Sequence, residues 1–219
     1  MEVFNWIKST IDIPSEDEVT SVADSQGEVL YRLIKENGLK RTLEVGFAYG
    51  KSGAYIMSAS QNHHVAIDPY QERFQNIGVR NIERLGLGEK LELHRDFSHV
   101  VLPQLLNEQR SFDFIFIDGD HRFDGIFVDF FYADRLLDMG GFIVFHDTWM
   151  RSTCLVESFV KKNRKDFKNI RVEDENLGVF QRVAWDTRDW IHFKEFYTMK
   201  SYTKFQIMSD LIGQKEEQN

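Results

Sequence analysis

The feature that most constrains this chain is a succession of apolar runs, each holding or ending in a carboxylate and each followed by a stretch with helical character. Thr42–Phe47 carries Glu44, His63–Asp68 ends at Asp68, and Leu91–Asp96 ends at Asp96. Phe112–Asp118 ends at Asp118, and Phe142-Ile143-Val144-Phe145-His146-Asp147 ends at Asp147 after a turn at Gly140-Gly141. Near-continuous apolar strands must be covered on both faces, and helices crossing between parallel strands provide that cover. Two further strands, Ile170–Glu173 and Gly178–Val183, are joined through Asp174-Glu175-Asn176 and read as an antiparallel hairpin. The expected fold class is α/β: a doubly wound, mostly parallel seven-stranded sheet with a terminal antiparallel hairpin. Such sheets bind ligands beyond the carboxyl ends of their strands, where these acids would gather.

The intervening helices are expected at Ser15–Asn37, Lys51–Ser60, Gln71–Leu85, His99–Glu108, from the fourth strand through Leu137, and at Thr153–Lys165. Ser15 and Glu18 have the spacing of a capping box for the first of these, and Gly38 is a natural stop. The organisation expected is an N-terminal helical segment over residues 1–40, a core over 41–184, and an aromatic-rich extension over 185–219. That extension holds Trp185, Trp190, Phe193, Phe196, Tyr197, Tyr202 and Phe205. Closing over a substrate, joining two subunits and simply packing on the core all remain open for it. Gln214–Asn219 is expected to be disordered.

Composition removes several function classes. The formal net charge of −8 argues against nonspecific binding to nucleic acid or to an anionic membrane. The single cysteine, Cys154, rules out an internal disulfide and a cysteine-based zinc site. No apolar run reaches the length of about 18 residues that a membrane span needs, and Met1–Ser9 lacks the apolar core of a signal peptide. A cytoplasmic protein is expected, with no nucleic-acid or membrane partner. Oligomeric state is left open, with a homodimer favoured.

The first strand runs into Glu44-Val45-Gly46-Phe47-Ala48-Tyr49-Gly50-Lys51-Ser52-Gly53, the outline of strand, tight turn and helix start. A dinucleotide turn needs Gly-x-Gly-x-x-Gly, which this spacing does not supply, and a pyrophosphate disfavours a carboxylate at its mouth. A ligand with a free amino group and a sulfonium charge would welcome Glu44. The pattern Glu-x-Gly-x-x-x-Gly, with Asp68 closing the second strand, resembles class I S-adenosylmethionine-dependent methyltransferases, whose fold is Rossmann-like. The resemblance covers residues 40–183. Asp118-Gly119-Asp120-His121 and His146-Asp147 are similar to the motifs of a branch of small O-methyltransferases.

That resemblance implies roles for particular residues. Gly46, Phe47 and Gly50 would wrap the methionine part of S-adenosylmethionine, with Glu44 and Ser52 near its amino and carboxylate ends. Asp68 would take the ribose hydroxyls, a carboxylate offering two acceptors to two vicinal donors. Tyr70 would pack beside adenine, Asp96 would accept from its amino group, and Phe97 would flank the ring. Asp118, Asp120, His121, His146 and Asp147 would converge where the methyl group moves. His121, where related enzymes carry a lysine, is the leading candidate for general base or ligand, with His146 second. Asp118 and Asp147 match the acids that hold Mg2+ in metal-dependent relatives. Thr148 stands where those relatives have an asparagine, which leaves the third ligand to Asp120 or a water. His63-His64, at the far end of the second strand, is expected to have a surface or packing role.

The activity expected is methyl transfer from S-adenosylmethionine to a hydroxyl of a small molecule, a sugar or secondary metabolite. The alternatives are an NAD(P)-dependent oxidoreductase on the same kind of sheet, and a binding module of this fold that has lost its chemistry.

Overall fold

Phe114 and Phe116 alternate with Ile115 and Ile117 along one strand, and all four are buried, so the sheet has a packed layer on each side. The phenylalanines join a cluster with Leu30, Ile34 and Ile56, whereas the isoleucines join Leu102, Phe130 and Val156 on the opposite face. The structure, a computed structural model, describes residues 2–18, 21–60 and 62–196. Tyr197, Tyr202, Phe205 and Gln214–Asn219, named above, lie outside the described residues.

The strands are β1 (Thr42–Val45), β2 (His64–Ile67), β3 (Leu91–His94), β4 (Phe112–Ile117), β5 (Leu137–Phe145), β6 (Phe167–Ile170) and β7 (Gly178–Arg182). They form one seven-stranded sheet in the order β3-β2-β1-β4-β5-β7-β6. β1 to β5 pair in parallel, and β7 runs antiparallel between β5 and β6. The order reverses at β1 and β4, which places the turn after β1 beside the turn after β4. The helices are α1 (Glu2–Thr10), α2 (Asp24–Asn37), α3 (Lys51–Ala59), α4 (Ile77–Arg84), α5 (Ser98–Asn107), α6 (Phe123–Leu136) and α7 (Arg151–Asn163).

The doubly wound sheet and its antiparallel end agree with the sequence reading, while several boundaries move for identifiable reasons. The first expected helix begins at Asp24, not near Ser15; residues 15–17 form a turn and a separate helix, α1, precedes it. The working half of the capping box is Gln26, whose Oε1 accepts the Ala23 N–H at 2.7 Å. Gly38 closes α2 in the left-handed conformation at φ 64°. α4 starts at Ile77 because Gln71 is drawn away: its Nε2 donates to the Ala48 carbonyl at 2.7 Å and to Asp68 at 3.1 Å. Gly140-Gly141 lies inside β5, beside a register shift against β4, so the expected turn is a strand irregularity. β6 lies upstream of the expected Ile170–Glu173, sharing only Ile170.

Candidate active site

The turn after β1 is held open by backbone conformations that favour glycine. Gly46 has φ 90° and Gly50 has φ 74°. A Cβ on Gly46 would lie 2.1 Å from the Asp118 carbonyl oxygen, so the end of β4 rests directly on this turn. Asp68, at the end of β2, anchors the turn from the other side. Its Oδ2 accepts the N–H groups of Phe47 (3.1 Å) and Ala48 (2.6 Å), and Oδ1 accepts that of Tyr70 (2.7 Å). Asp68 lines the cavity but is only 3% exposed, its oxygens largely committed to the protein.

Glu44 is placed differently from the expectation that it meets a ligand directly. It is fully buried behind the turn, where Ser52 Oγ donates to Oε1 and His64 Nε2 lies 3.1 Å from Oε2. Burial pushes the Glu44 pKa up, and the His64 hydrogen bond opposes the push. His64 itself is fully buried and also bonded to Thr42 Oγ1 at 2.9 Å, so half of the dismissed His63-His64 pair supports the turn. Of this chain of polar groups, only Ser52 faces the cavity.

That cavity has a volume of about 990 Å³ and runs along the carboxyl ends of the parallel strands, from the Gly46 turn past Tyr70 and Phe97 in one direction and to Asp118 and His121 in the other. The Tyr70 and Phe97 rings meet edge to face at 6.0 Å. Asp96 is not on the cavity wall: it is exposed, and its Oδ1 accepts the Phe97 N–H at 2.7 Å, a local cap at the start of α5.

At the other end four expected residues come together. His121 Nε2 lies 3.0 Å from Asp147 Oδ2 and 3.6 Å from Asp118 Oδ1. His146 Nδ1 lies 3.0 Å from Asp118 Oδ1. His121 is 46% exposed and lines the cavity, whereas His146 is 6% exposed and lies behind Asp118. His146 is thus placed to hold Asp118 in position. Asp118 and Asp147 together hold His121 up at about 10. Burial works to lower His146, but the same carboxylates hold it up at about 9. The two imidazoles hold Asp147 far below the usual carboxylate range. Asp147 sits at φ 54°, a left-handed conformation that aspartate tolerates better than most residues.

Three further residues reach this cluster, of which Gln26 and Asn176 escaped the sequence reading. Gln26 Oε1 lies 3.0 Å from His146 Nε2, and Trp149 Nε1 donates to Asp147 at 2.9 Å. Asn176, from the loop before β7, brings its Nδ2 to 3.3 Å from both His146 Nε2 and Asp147 Oδ1. No local pattern marks them, because each arrives from a distant element; His-Asp beside Trp149 was the one available signal. Thr148 turns away and donates to the Glu175 carbonyl, while Asp120 is bound by Arg122.

The donors fit a divalent cation. One ligand atom each from Asp118, His121 and Asp147 lie within 4.8 Å of one another, and the buried Asn176 Oδ1 has no hydrogen-bond partner. Two carboxylates and an imidazole suit a first-row divalent metal at least as well as Mg2+.

A family model described as a methyltransferase domain matches residues 43–148. Caffeoyl-CoA O-methyltransferase 1 of Zea mays is 32% identical over 146 residues, covering 63% of this chain and 54% of its own length. Caffeoyl-CoA O-methyltransferase 2 of Petunia hybrida is 33% identical over 138 residues, covering 59% of this chain and 54% of its own length. The chain thus spans about half the length of these curated relatives. The solved O-methyltransferase from Bacillus cereus in complex with SAH has the same fold, with a TM-score of 0.66, 20% identity, and coverage of 84% of this chain and 91% of that one. Among the described residues no helix is long and apolar enough to cross a membrane. The β3-β2-β1-β4-β5-β7-β6 sheet, the glycine turn, the methyltransferase-domain match over residues 43–148 and these relatives all make the chain similar to class I S-adenosylmethionine-dependent O-methyltransferases.

Proposed function

We propose that this chain transfers the methyl group of S-adenosylmethionine to a hydroxyl oxygen of a small, flat or ring-shaped acceptor. One observation carries the reading: the glycine turn and, from the reacting cluster, Asp118 and His121 open onto one cavity, and the two touch each other through Gly46 and the Asp118 carbonyl. The group that binds the sulfonium donor and the group that handles the acceptor proton are thereby held in fixed register. In-line displacement needs that register, since aligning oxygen, methyl carbon and sulfur removes much of the entropic part of the barrier. The names of the curated relatives and of solved neighbours with SAH or SAM bound support the same activity.

In this reading the backbone of Gly46, Phe47 and Gly50 wraps the methionine part, with Ser52 beside it and Glu44 and His64 bracing Ser52 from behind. Asp68 keeps the turn closed at the ribose side. Tyr70 and Phe97 enclose the base. At the reacting end Trp149, 65% exposed and tied to Asp147, offers a flat wall for the acceptor. His121 is the proton-handling residue. While the two carboxylates hold a proton on it, it donates hydrogen bonds; as a base it must first be relieved of that proton. Asp118, Asp147 and His121 would hold a divalent cation, with Asn176 as a neutral fourth group. A bound cation supplies Lewis acidity that lowers the pKa of an acceptor hydroxyl.

Two measurements test this function. Calorimetry should show saturable binding of S-adenosylmethionine and SAH, and none of a nicotinamide dinucleotide; the reverse would replace the proposal with the oxidoreductase reading. Exhaustive chelation should lower methyl transfer to a catechol acceptor by about tenfold or more, with recovery on adding Mg2+ or Mn2+. Activity that survives chelation unchanged would remove the metal from the mechanism.

A further inference from the structure

Thr42, Glu44 and His64 form a polar set inside an apolar layer. Thr42 and Glu44 alternate along β1 with Leu43 and Val45, which join the core on the other face of the sheet. The parallel register sets His64 of β2 directly beside Thr42. All three polar residues are fully buried. Gly53 of α3 leaves the room for them, since a Cβ there would lie 3.0 Å from Glu44 Oε2.

Buried polar groups must find partners, and the hydrogens available here fit one arrangement. The Thr42 hydroxyl has one partner among the described residues, His64 Nδ1 at 2.9 Å. For the hydroxyl to donate, Nδ1 must be bare, and a neutral imidazole then carries its hydrogen on Nε2. That hydrogen points at Glu44 Oε2, 3.1 Å away, while Ser52 Oγ donates to Oε1. Glu44 thus accepts from both sides and holds no proton. An imidazolium, or a protonated Glu44 donating to Nε2, would put a hydrogen on Nδ1. Either would leave the Thr42 hydroxyl without an acceptor in the core, which costs a buried hydrogen bond. Burial, joined by the Asp118 charge at the end of β4, raises the Glu44 pKa, and the His64 and Ser52 hydrogen bonds oppose that rise.

We propose that His64 is a positioning residue of the donor site: fixed by Thr42 as the neutral Nε2–H imidazole, it stations one net negative charge behind the glycine turn, where that charge draws a cationic donor. Ser52, on the cavity wall, is the group between the charge and the donor. The donor is that of the function proposed above and rests on it, whereas the placement of the protons does not.

Two measurements on the full chain test this. In 15N NMR with labelled histidine, the His64 signal is identified by its loss in His64→Gln. From about pH 8 to about pH 6 the native protein should show the Nε2–H tautomer with Nδ1 unprotonated. An Nδ1–H tautomer or an imidazolium in that range overturns the proposal. Thr42→Val removes the hydroxyl but keeps its outline, so Nδ1 becomes free to take a proton as the pH falls through the ordinary histidine range near about 6.5. That proton cancels the stationed charge. Calorimetry with S-adenosylmethionine should therefore show the ratio of native to variant affinity widening about tenfold between about pH 8 and about pH 6. Thr42→Ser, which restores the hydroxyl, should close that gap. A ratio that does not change with pH is what a merely structural loss would give, and it overturns the proposal while leaving the proposed function standing. Should Thr42→Val not fold, as judged by its thermal melt, Thr42→Ala carries the same comparison. Absence of S-adenosylmethionine binding from the native protein overturns the proposed function and, with it, the part of His64 in a donor site.

Discussion

Asp118→Ala is expected to lower methyl transfer by about 10³-fold, within the range that loss of a proton-handling unit produces. The size follows from how many groups depend on this one carboxylate. Oδ1 lies 3.0 Å from His146 Nδ1 and 3.6 Å from His121 Nε2, and it is one of the three candidate cation ligands. Without it His121 keeps Asp147 alone and tilts from the cavity, and His146 is left buried with a weakened partner. Affinity for S-adenosylmethionine should change far less, because the glycine turn, Ser52 and the aromatic end of the cavity are untouched. Asp118→Asn separates charge from shape: it should preserve folding and still lose most of the turnover. A kcat within tenfold of the native value in either variant would show that the cluster does not carry the reaction.

Gly46→Ala should abolish cofactor binding and destabilise the protein together. The residue sits at φ 90°, and an added Cβ would be 2.1 Å from the Asp118 carbonyl oxygen and 3.1 Å from Gly119 Cα. Both neighbours are backbone, which cannot swing aside as a side chain would. Left-handed strain costs about 1–3 kcal/mol, and overpacking adds about 1–3 kcal/mol more. For a chain of this size the sum corresponds to a fall in Tm on the order of 10 °C. Gly38→Ala is the control: its φ is 64°, but nothing lies within 4 Å of the position, so it carries strain without collision. It should melt a few degrees early and bind S-adenosylmethionine normally. Equal effects from the two substitutions would show that the contact between the turn and β4 is unimportant.

Much of this arrangement was legible in the sequence because it is encoded locally. Apolar strands such as Phe114–Ile117, glycine at Gly46 and Gly50, and the Asp118, His121 and Asp147 positions each carry their meaning within a few residues. What was missed depends on distant contacts. Gln71 reads as helix until its amide is taken by the first turn. Glu44 reads as a ligand contact until His64, on the neighbouring strand, is found closing over it. Gln26 and Asn176 look like ordinary polar residues of a helix and a loop. Their roles appear only when chain topology brings them to His146 and Asp147, and no periodicity records that.

Asn176 also has a consequence for the order in which the site is assembled. The glycine turn, the aromatic walls and all four clustered side chains, Asp118, His121, His146 and Asp147, have been made once the chain has passed the end of β5. The amide that braces Asp147 comes later, and its loop is fixed only when β7 slots between β5 and β6. Under the proposed function, a nascent chain stalled before that insertion would hold the donor-binding turn but leave Asp147 without the Asn176 amide, so this last strand would act as a latch on the reaction centre.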